Sequence, residues 1–181
     1  MSKYIRAYDG VIEPEFCKHL IDKFNANEEI WDSYDNDIIK FNQINLPNHP
    51  NVFSEEVDFL MKTFRLMVDH YKKDCGILEY QFPQKYGFEA IRMKQYAANY
   101  GEFKPHIDAA NIENMHRFLV FFLYLDEGMG GETELFDQEV KVERKPGRLL
   151  MFPPMWTYPH AGCMPIGTNK HIIGSYLHYI E

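Results

Sequence analysis

A histidine and a carboxylate stand two positions apart in His106-Ile107-Asp108. On a β-strand, residues i and i+2 point to one face, so this imidazole and carboxylate can converge on a single ion. The tripeptide alone is a weak signal, because a lone strand histidine is more often just a hydrogen-bonded residue. His160, 54 residues further on, strengthens it: Pro159 precedes it, and Ala161-Gly162 follow as small residues that leave room around the ring. Two histidines and a carboxylate make the facial triad of non-haem Fe(II) oxygenases, with three positions open for a co-substrate and O₂. Zinc can also occupy such a set, but Fe(II) fits better with the next residue. Lys170 lies ten residues after His160 and begins a strand-like run. A buried ammonium needs an anionic partner or it loses its proton. A dicarboxylate would be that partner, chelating the metal at one end and pairing with Lys170 at the other. Without the triad, the plainer reading of Lys170 is a surface lysine at a turn.

Elements must position these groups. From Tyr86 onward, short runs of β-branched and aromatic residues alternate with Gly, Pro and Asn. Strands are expected near Phe88–Tyr96, Lys104–Asp108, Arg117–Leu125, Glu132–Leu135, Glu139–Glu143, Arg148–Phe152, Tyr158–Cys163 and Lys170–Tyr179. Phe118–Leu125 is apolar at every position, as suits a strand buried on both faces. The pattern predicts a mainly β, α+β fold with a double-stranded β-helix (jelly roll) core. Before it, Glu13-Pro14 opens one helix, with Phe16, Leu20, Ile21 and Phe24 at helical spacing. Ser54 is the expected N-cap of a second helix, which Gly76 ends. Both apolar stripes read as packing against a sheet. The segment Trp31–Leu46 reads as a substrate flap or a sheet extension, and Gly128-Met129-Gly130-Gly131 as a hairpin turn rather than a phosphate loop.

The length of 181 residues predicts one domain, with residues 1–85 as helical support and N-terminal strands and 86–181 as the jelly-roll core. A net charge of −8 weighs against nucleic acid, since the basic residues are scattered and Lys72-Lys73 and Arg144-Lys145 are only pairs. The same charge makes a neutral or basic peptide segment an easier partner than an acidic one. No apolar run approaches the ~20 residues of a membrane span. The N-terminus lacks a secretory pattern, and three cysteines without metal spacing read as reduced thiols, so a cytoplasmic location is expected. His19, His49, His70, His116, His171 and His178 read as surface or packing residues.

Taken in order, Gln95-Tyr96, Pro105-His106-Ile107-Asp108, Arg117, Tyr124-Leu125, Gly130-Gly131-Glu132-Thr133, Pro146-Gly147-Arg148-Leu149-Leu150-Met151-Phe152, His160-Ala161-Gly162-Cys163, Gly167 and Lys170 form a recurring set. Over residues 86–179 this set resembles the catalytic domain of 2-oxoglutarate/Fe(II)-dependent dioxygenases of the prolyl 4-hydroxylase type. The resemblance implies that His106, Asp108 and His160 hold Fe(II) as the catalytic centre. It implies that Lys170 binds the distal carboxylate of 2-oxoglutarate, with Tyr96, Tyr124 and Thr133 as polar contacts to the co-substrate. Arg117 matches an arginine near the peptide substrate. O₂ is the second co-substrate and ascorbate an optional accessory. Prolyl 4-hydroxylases often carry Trp after the lysine and a Lys-Trp pair beyond it. Here Lys170-His171 and Ser175-Tyr176 stand instead, so Tyr176 takes the substrate side in place of Trp and proline specificity stays open. Pro153-Pro154-Met155-Trp156-Thr157-Tyr158 replaces a longer family insertion, with Trp156 a pocket wall or a core cover. The implied activity is hydroxylation of an unactivated C–H bond, first of a prolyl residue in a peptide or protein. A hydroxylase of a free amino acid or other small molecule, and a non-catalytic jelly-roll binding module, are the alternatives. The oligomeric state is not legible.

Overall fold

The computed structural model describes residues 3–181. Its elements run β1 (Arg6–Tyr8), α1 (Pro14–Asn25), β2 (Asp32–Asp35), β3 (Ile39–Asn45), α2 (Pro50–Asp74), β4 (Tyr86–Phe88), β5 (Arg92–Tyr96), β6 (Glu102–His106), β7 (Arg117–Tyr124), β8 (Thr133–Leu135), β9 (Val140–Val142), β10 (Leu149–Phe152), β11 (His160–Gly162) and β12 (Lys170–Tyr179). The strands form one antiparallel sheet in the order β1-β10-β7-β12-β5-β3-β6-β11-β8-β9, with β2 added to β3 and β4 to β12. It curls on itself as the expected jelly roll.

The run Phe118–Leu125 separates two cores. Leu119, Phe121, Leu123 and Leu125 join Phe24, Phe53, Leu60 and Phe64 of the helices in one buried cluster. Val120 and Tyr124 join Phe152, Ile172 and Tyr176 in a second cluster inside the roll. Strand alternation places each set, and burial on both faces follows from the layer of helices outside. The helices cover the sheet through contacts such as Phe64 stacked on Phe121, with ring centroids 5.1 Å apart.

The second helix begins earlier than Ser54. It starts at Pro50, with His49 in the cap position and making no side-chain cap bond. Proline at the first helical position carries the φ a helix needs and lacks an N–H that would go unpaired. The extra turn also buries Phe53 completely, worth about 2 kcal/mol. The other end is as expected. Gly76 has φ +58°, and the N–H groups of Gly76 and Ile77 bond to the carbonyls of Lys73 and Lys72, the pattern that closes helices through a left-handed glycine.

The expected strand Phe88–Tyr96 is two strands, β4 and β5, both paired to β12. Between them the Glu89 N–H bonds to the Tyr176 carbonyl at 2.9 Å, and the Glu89 side chain turns toward Arg117. Trp31–Leu46 is largely the hairpin β2–β3, a sheet extension whose second strand lies between β5 and β6. Strand β2, whose four residues are all exposed, pairs with β3. Among the described residues no helix is long and apolar enough to cross a membrane, and the three cysteines form no disulfide.

Candidate active site

Strand pairing brings the two histidines together. His106 ends β6 and His160 begins β11, and the two are direct cross-strand partners, so their rings come to 4.4 Å between centroids. Asp108 lies beyond the end of β6 rather than on it. Its approach is fixed by tertiary contacts instead of strand alternation. The Tyr176 hydroxyl donates to Asp108 Oδ1 at 2.8 Å, Arg117 Nη1 donates to the Asp108 carbonyl at 3.2 Å, and the Ala109 N–H bonds to Pro154 O. Asp108 then stands 3.6 Å from His106 Nε2 and 3.3 Å from His160 Nε2.

Each histidine gives Nδ1 to a backbone carbonyl, His106 to Lys104 O at 2.7 Å and His160 to Tyr158 O at 3.1 Å. A carbonyl only accepts, so Nδ1 carries the proton and Nε2 keeps its lone pair. This is the outer support that metal-binding histidines use. His106 Nε2, His160 Nε2 and Asp108 Oδ2 are all buried and, among the described residues, have no hydrogen-bond partner. Three unpaired buried polar atoms at one point are costly unless something satisfies them. Their donor atoms lie within 4.8 Å of one another, and the N₂O set suits Fe(II). Burial pushes His106 down, which keeps it neutral for ligation. Phe103 stacks on His106, and Phe122 and Phe152 pack around His160.

Behind these atoms lies a chamber lined by Tyr96, Thr133, Gly162, Lys170 and Ile172, with His106, Asp108 and His160 at its front. Lys170 begins β12 directly opposite Tyr96 of β5. It is 1% exposed, and its ammonium lies 4.9 Å from the Tyr96 ring and 5.5 Å from the Tyr124 ring. Among the described residues it forms no ion pair. Burial pushes it down to about 8, which leaves a cation that an incoming carboxylate would stabilise. Tyr124 is fully buried and donates to Thr133 Oγ1 at 2.6 Å, so it positions Thr133 while Thr133 lines the chamber. Gly131 makes room for this arrangement. Its φ is +75°, and a Cβ there would meet Lys170 Cδ at 3.1 Å.

In front lies an open groove of about 350 Å³, lined by Tyr34, Phe41, Gln43, Arg92, Lys94, Asn114, Arg117 and Tyr176. Arg117 is bidentate with Glu89 at 2.6 and 2.8 Å, and its guanidinium lies 4.0 Å over the Tyr176 ring. Trp156 is 75% exposed and lines neither the chamber nor the groove. Glu89 also lies near His116 and His178, but its carboxylate is committed to Arg117 and Arg92.

The sequence reading missed Arg92, Lys94, Tyr34 and Phe41 in the groove. It also missed Arg144. That side chain is wholly buried, ion-paired to Asp126 at 3.0 Å and bonded to the carbonyl of Asn169 and the hydroxyl of Thr168. It ties the loop after β7 to the entry of β12 and so fixes where Lys170 starts. Its flanking residues Glu143 and Lys145 are exposed, so the charged triple carried no sign of burial. His171 is likewise buried, held by Asp126 and Gln95.

A jelly roll that gathers three free donor atoms in front of a buried lysine has the build of a mononuclear metal enzyme with an acidic co-substrate. Residues 91–178 match the model of the 2OG-Fe(II) oxygenase superfamily, whose cofactor and co-substrate are Fe(II) and 2-oxoglutarate. The whole fold is prolyl 4-hydroxylase-like. The viral collagen prolyl hydroxylase of Paramecium Bursaria Chlorella virus-1, solved with 2OG, superposes with a TM-score of 0.72 at 18% identity, covering 98% of this chain and 97% of that one. A Pseudomonas putida prolyl-4-hydroxylase gives 0.69 at 15% identity, over 98% and 93%. A Trichoplax adhaerens prolyl hydroxylase, in complex with a hypoxia inducible factor oxygen degradation domain peptide fragment, gives 0.72 at 14% identity, over 98% and 84%. Comparison with curated protein sequences finds no match.

Proposed function

We propose that the chain is a 2-oxoglutarate- and Fe(II)-dependent hydroxylase acting on an unactivated C–H bond, most simply of a prolyl residue in a peptide or protein. The convergence of three unpaired buried donor atoms, two imidazoles and one carboxylate, carries this reading. His106, Asp108 and His160 would hold the metal. Fe(II), with 2-oxoglutarate and O₂, supplies the oxidising chemistry: the co-substrate becomes succinate and CO₂, and one oxygen atom enters the C–H bond. The chain's own residues do the positioning. Lys104 and Tyr158 carbonyls hold the imidazoles in the ligating tautomer, and Tyr176 holds Asp108. Lys170 would pair with the distal carboxylate, with Tyr96 and Thr133 as polar neighbours. Phe103, Phe122 and Phe152 keep water from the site.

The groove's openness favours an extended segment over a fully enclosed small molecule, and peptide binding by the Trichoplax neighbour supports that choice. The N-terminal helices share a core with the sheet that carries the site, which supports reading residues 1–181 as one oxygenase domain. The test is a peptide and amino-acid panel with Fe(II), ascorbate and 2-oxoglutarate. The expected result is succinate release with a peptide product heavier by one oxygen atom. Release with free amino acids but no peptide would transfer the activity to small molecules. No 2-oxoglutarate turnover with any member would refute the hydroxylase.

A further inference from the structure

The groove holds a cation that the chemistry above does not use. On β5 the side chains of Arg92, Lys94 and Tyr96 share one face. Arg92 lines the groove, Tyr96 lines the chamber, and Lys94 lines both. Arg92 and Arg117 are committed to Glu89. Lys94 has no such partner: among the described residues it makes no ion pair, and its ammonium rests 4.7 Å over the Phe41 ring and 5.8 Å from the Phe103 ring. Phe103 in turn stacks on the ligand His106, so this cation stands beside the reacting end of the groove. The surrounding protein pushes it down to about 8, against the pull of Asp108. Among the described residues Asp108 is the one carboxylate lining the groove, and the proposed metal would engage it. In the hydroxylase reading the two carboxylates of the co-substrate would be met by the metal and by Lys170. A third cation, on the groove side, is left for a third carboxylate.

We infer, building on the hydroxylase reading, that Lys94 anchors a carboxylate of the substrate, so that the oxidised C–H bond lies close to an acid group. That acid is an Asp or Glu side chain beside the target residue of a peptide, or the α-carboxylate of a free acid. The inference reverses the preference for neutral or basic segments drawn from the net charge of −8, because the charge around the groove is locally opposite to that of the chain.

The test is calorimetric titration of the protein loaded with Fe(II) and 2-oxoglutarate under strict anaerobiosis, which separates binding from turnover. The probes are matched pairs: proline-centred peptides with flanking Asp against Asn and Glu against Gln, and N-acetylproline against its amide. At least one carboxylate member should bind about tenfold or more tightly than its amide, as a charge-assisted contact requires. Lys94→Met should erase that difference, Lys94→Arg should retain most of it, and both should change substrate affinity far more than 2-oxoglutarate affinity. Which pair shows the difference tells peptide acid from free acid. Equal binding within every pair, including binding of neither, overturns the inference, as does a difference that survives in Lys94→Met. Loss of 2-oxoglutarate affinity in Lys94→Met also overturns it, by assigning the lysine to the co-substrate. The hydroxylase reading fails separately, through absent 2-oxoglutarate turnover in air, whatever the anaerobic titrations give.

Discussion

The chamber behind His106, Asp108 and His160 and the groove in front of them share part of their walls but are completed by different parts of the chain. The chamber is built by strands: Tyr96, Thr133, Gly162 and Lys170 lie on β5, β8, β11 and β12, each fixed by ladder hydrogen bonds. The groove adds Tyr34, Phe41 and Gln43 from the hairpin β2–β3 and Asn114 from the loop before β7. In the same loop as Asn114, Ile112 and Met115 stand 87% and 65% exposed. Shared oxidative chemistry needs ligands held within about half an ångström, which rigid strands supply. Selecting a substrate needs surfaces that can vary without disturbing that frame, and loops and edge hairpins supply those. A change in the chamber should therefore abolish or starve the chemistry, and a change in the groove should alter what is accepted.

The largest effects belong to the ligands. His106→Ala, Asp108→Ala and His160→Ala should each reduce 2-oxoglutarate turnover, read as succinate release, below detection and lower bound Fe(II) per chain. Full activity in His160→Ala would break the comparison at its root. Next comes Lys170→Ala. Losing a buried charge-assisted contact worth about 2–3 kcal/mol should raise the KM for 2-oxoglutarate about 30- to 150-fold, with much of kcat recovered at saturation. An unchanged KM would remove the chamber's anion clamp. Tyr176→Phe is smaller and lies on the boundary. It keeps the ring beneath Arg117 and deletes the hydrogen bond to Asp108. About tenfold weaker Fe(II) binding is expected, measured by metal titration, and unaltered metal affinity would make Tyr176 a groove residue alone.

Legibility in the sequence followed the same division. His106, His160 and Lys170 were readable because strand period and spacing are local signals, and β12 runs over Lys170–Tyr179 as its apolar pattern implied. The convergence of Asp108 on the two histidines was readable for an incomplete reason. Asp108 sits past the strand, so Tyr176 and Arg117 aim it rather than i, i+2 alternation. The groove was mostly illegible. Lys94 looks like any strand lysine until β3, from fifty residues earlier in the chain, brings Phe41 beneath it. Arg144 looked like half of a surface pair, because its partners Asp126, Thr168 and Asn169 are distant in sequence. Contacts of that kind are set by topology and leave no periodic trace.

The smallest expected effect is also the one that isolates the groove. Glu89 is 11% exposed and holds Arg117 and Arg92. Burial pushes its carboxyl up, but the bonds and charge of Arg117, then of Arg92, outweigh burial and hold it below the usual range. A folded-state value below the unfolded one means that the unfolded chain binds the proton more readily. The stabilisation is therefore complete above the unfolded value of about 4.3 and is lost as pH falls through the folded value. Glu89→Gln should lower stability by about 1–2 kcal/mol at pH 7. The gap to the wild type should close on acidification, as followed by thermal unfolding from pH 7 to 3. A gap constant with pH would mean that the carboxylate's charge contributes nothing. Because Arg117 would be released from Glu89 while Lys170 and Thr133 stay in place, peptide affinity should change and the KM for 2-oxoglutarate should not. A shift in that KM would show that the groove and the chamber are one mechanical unit, and that the division between them is only one of sequence.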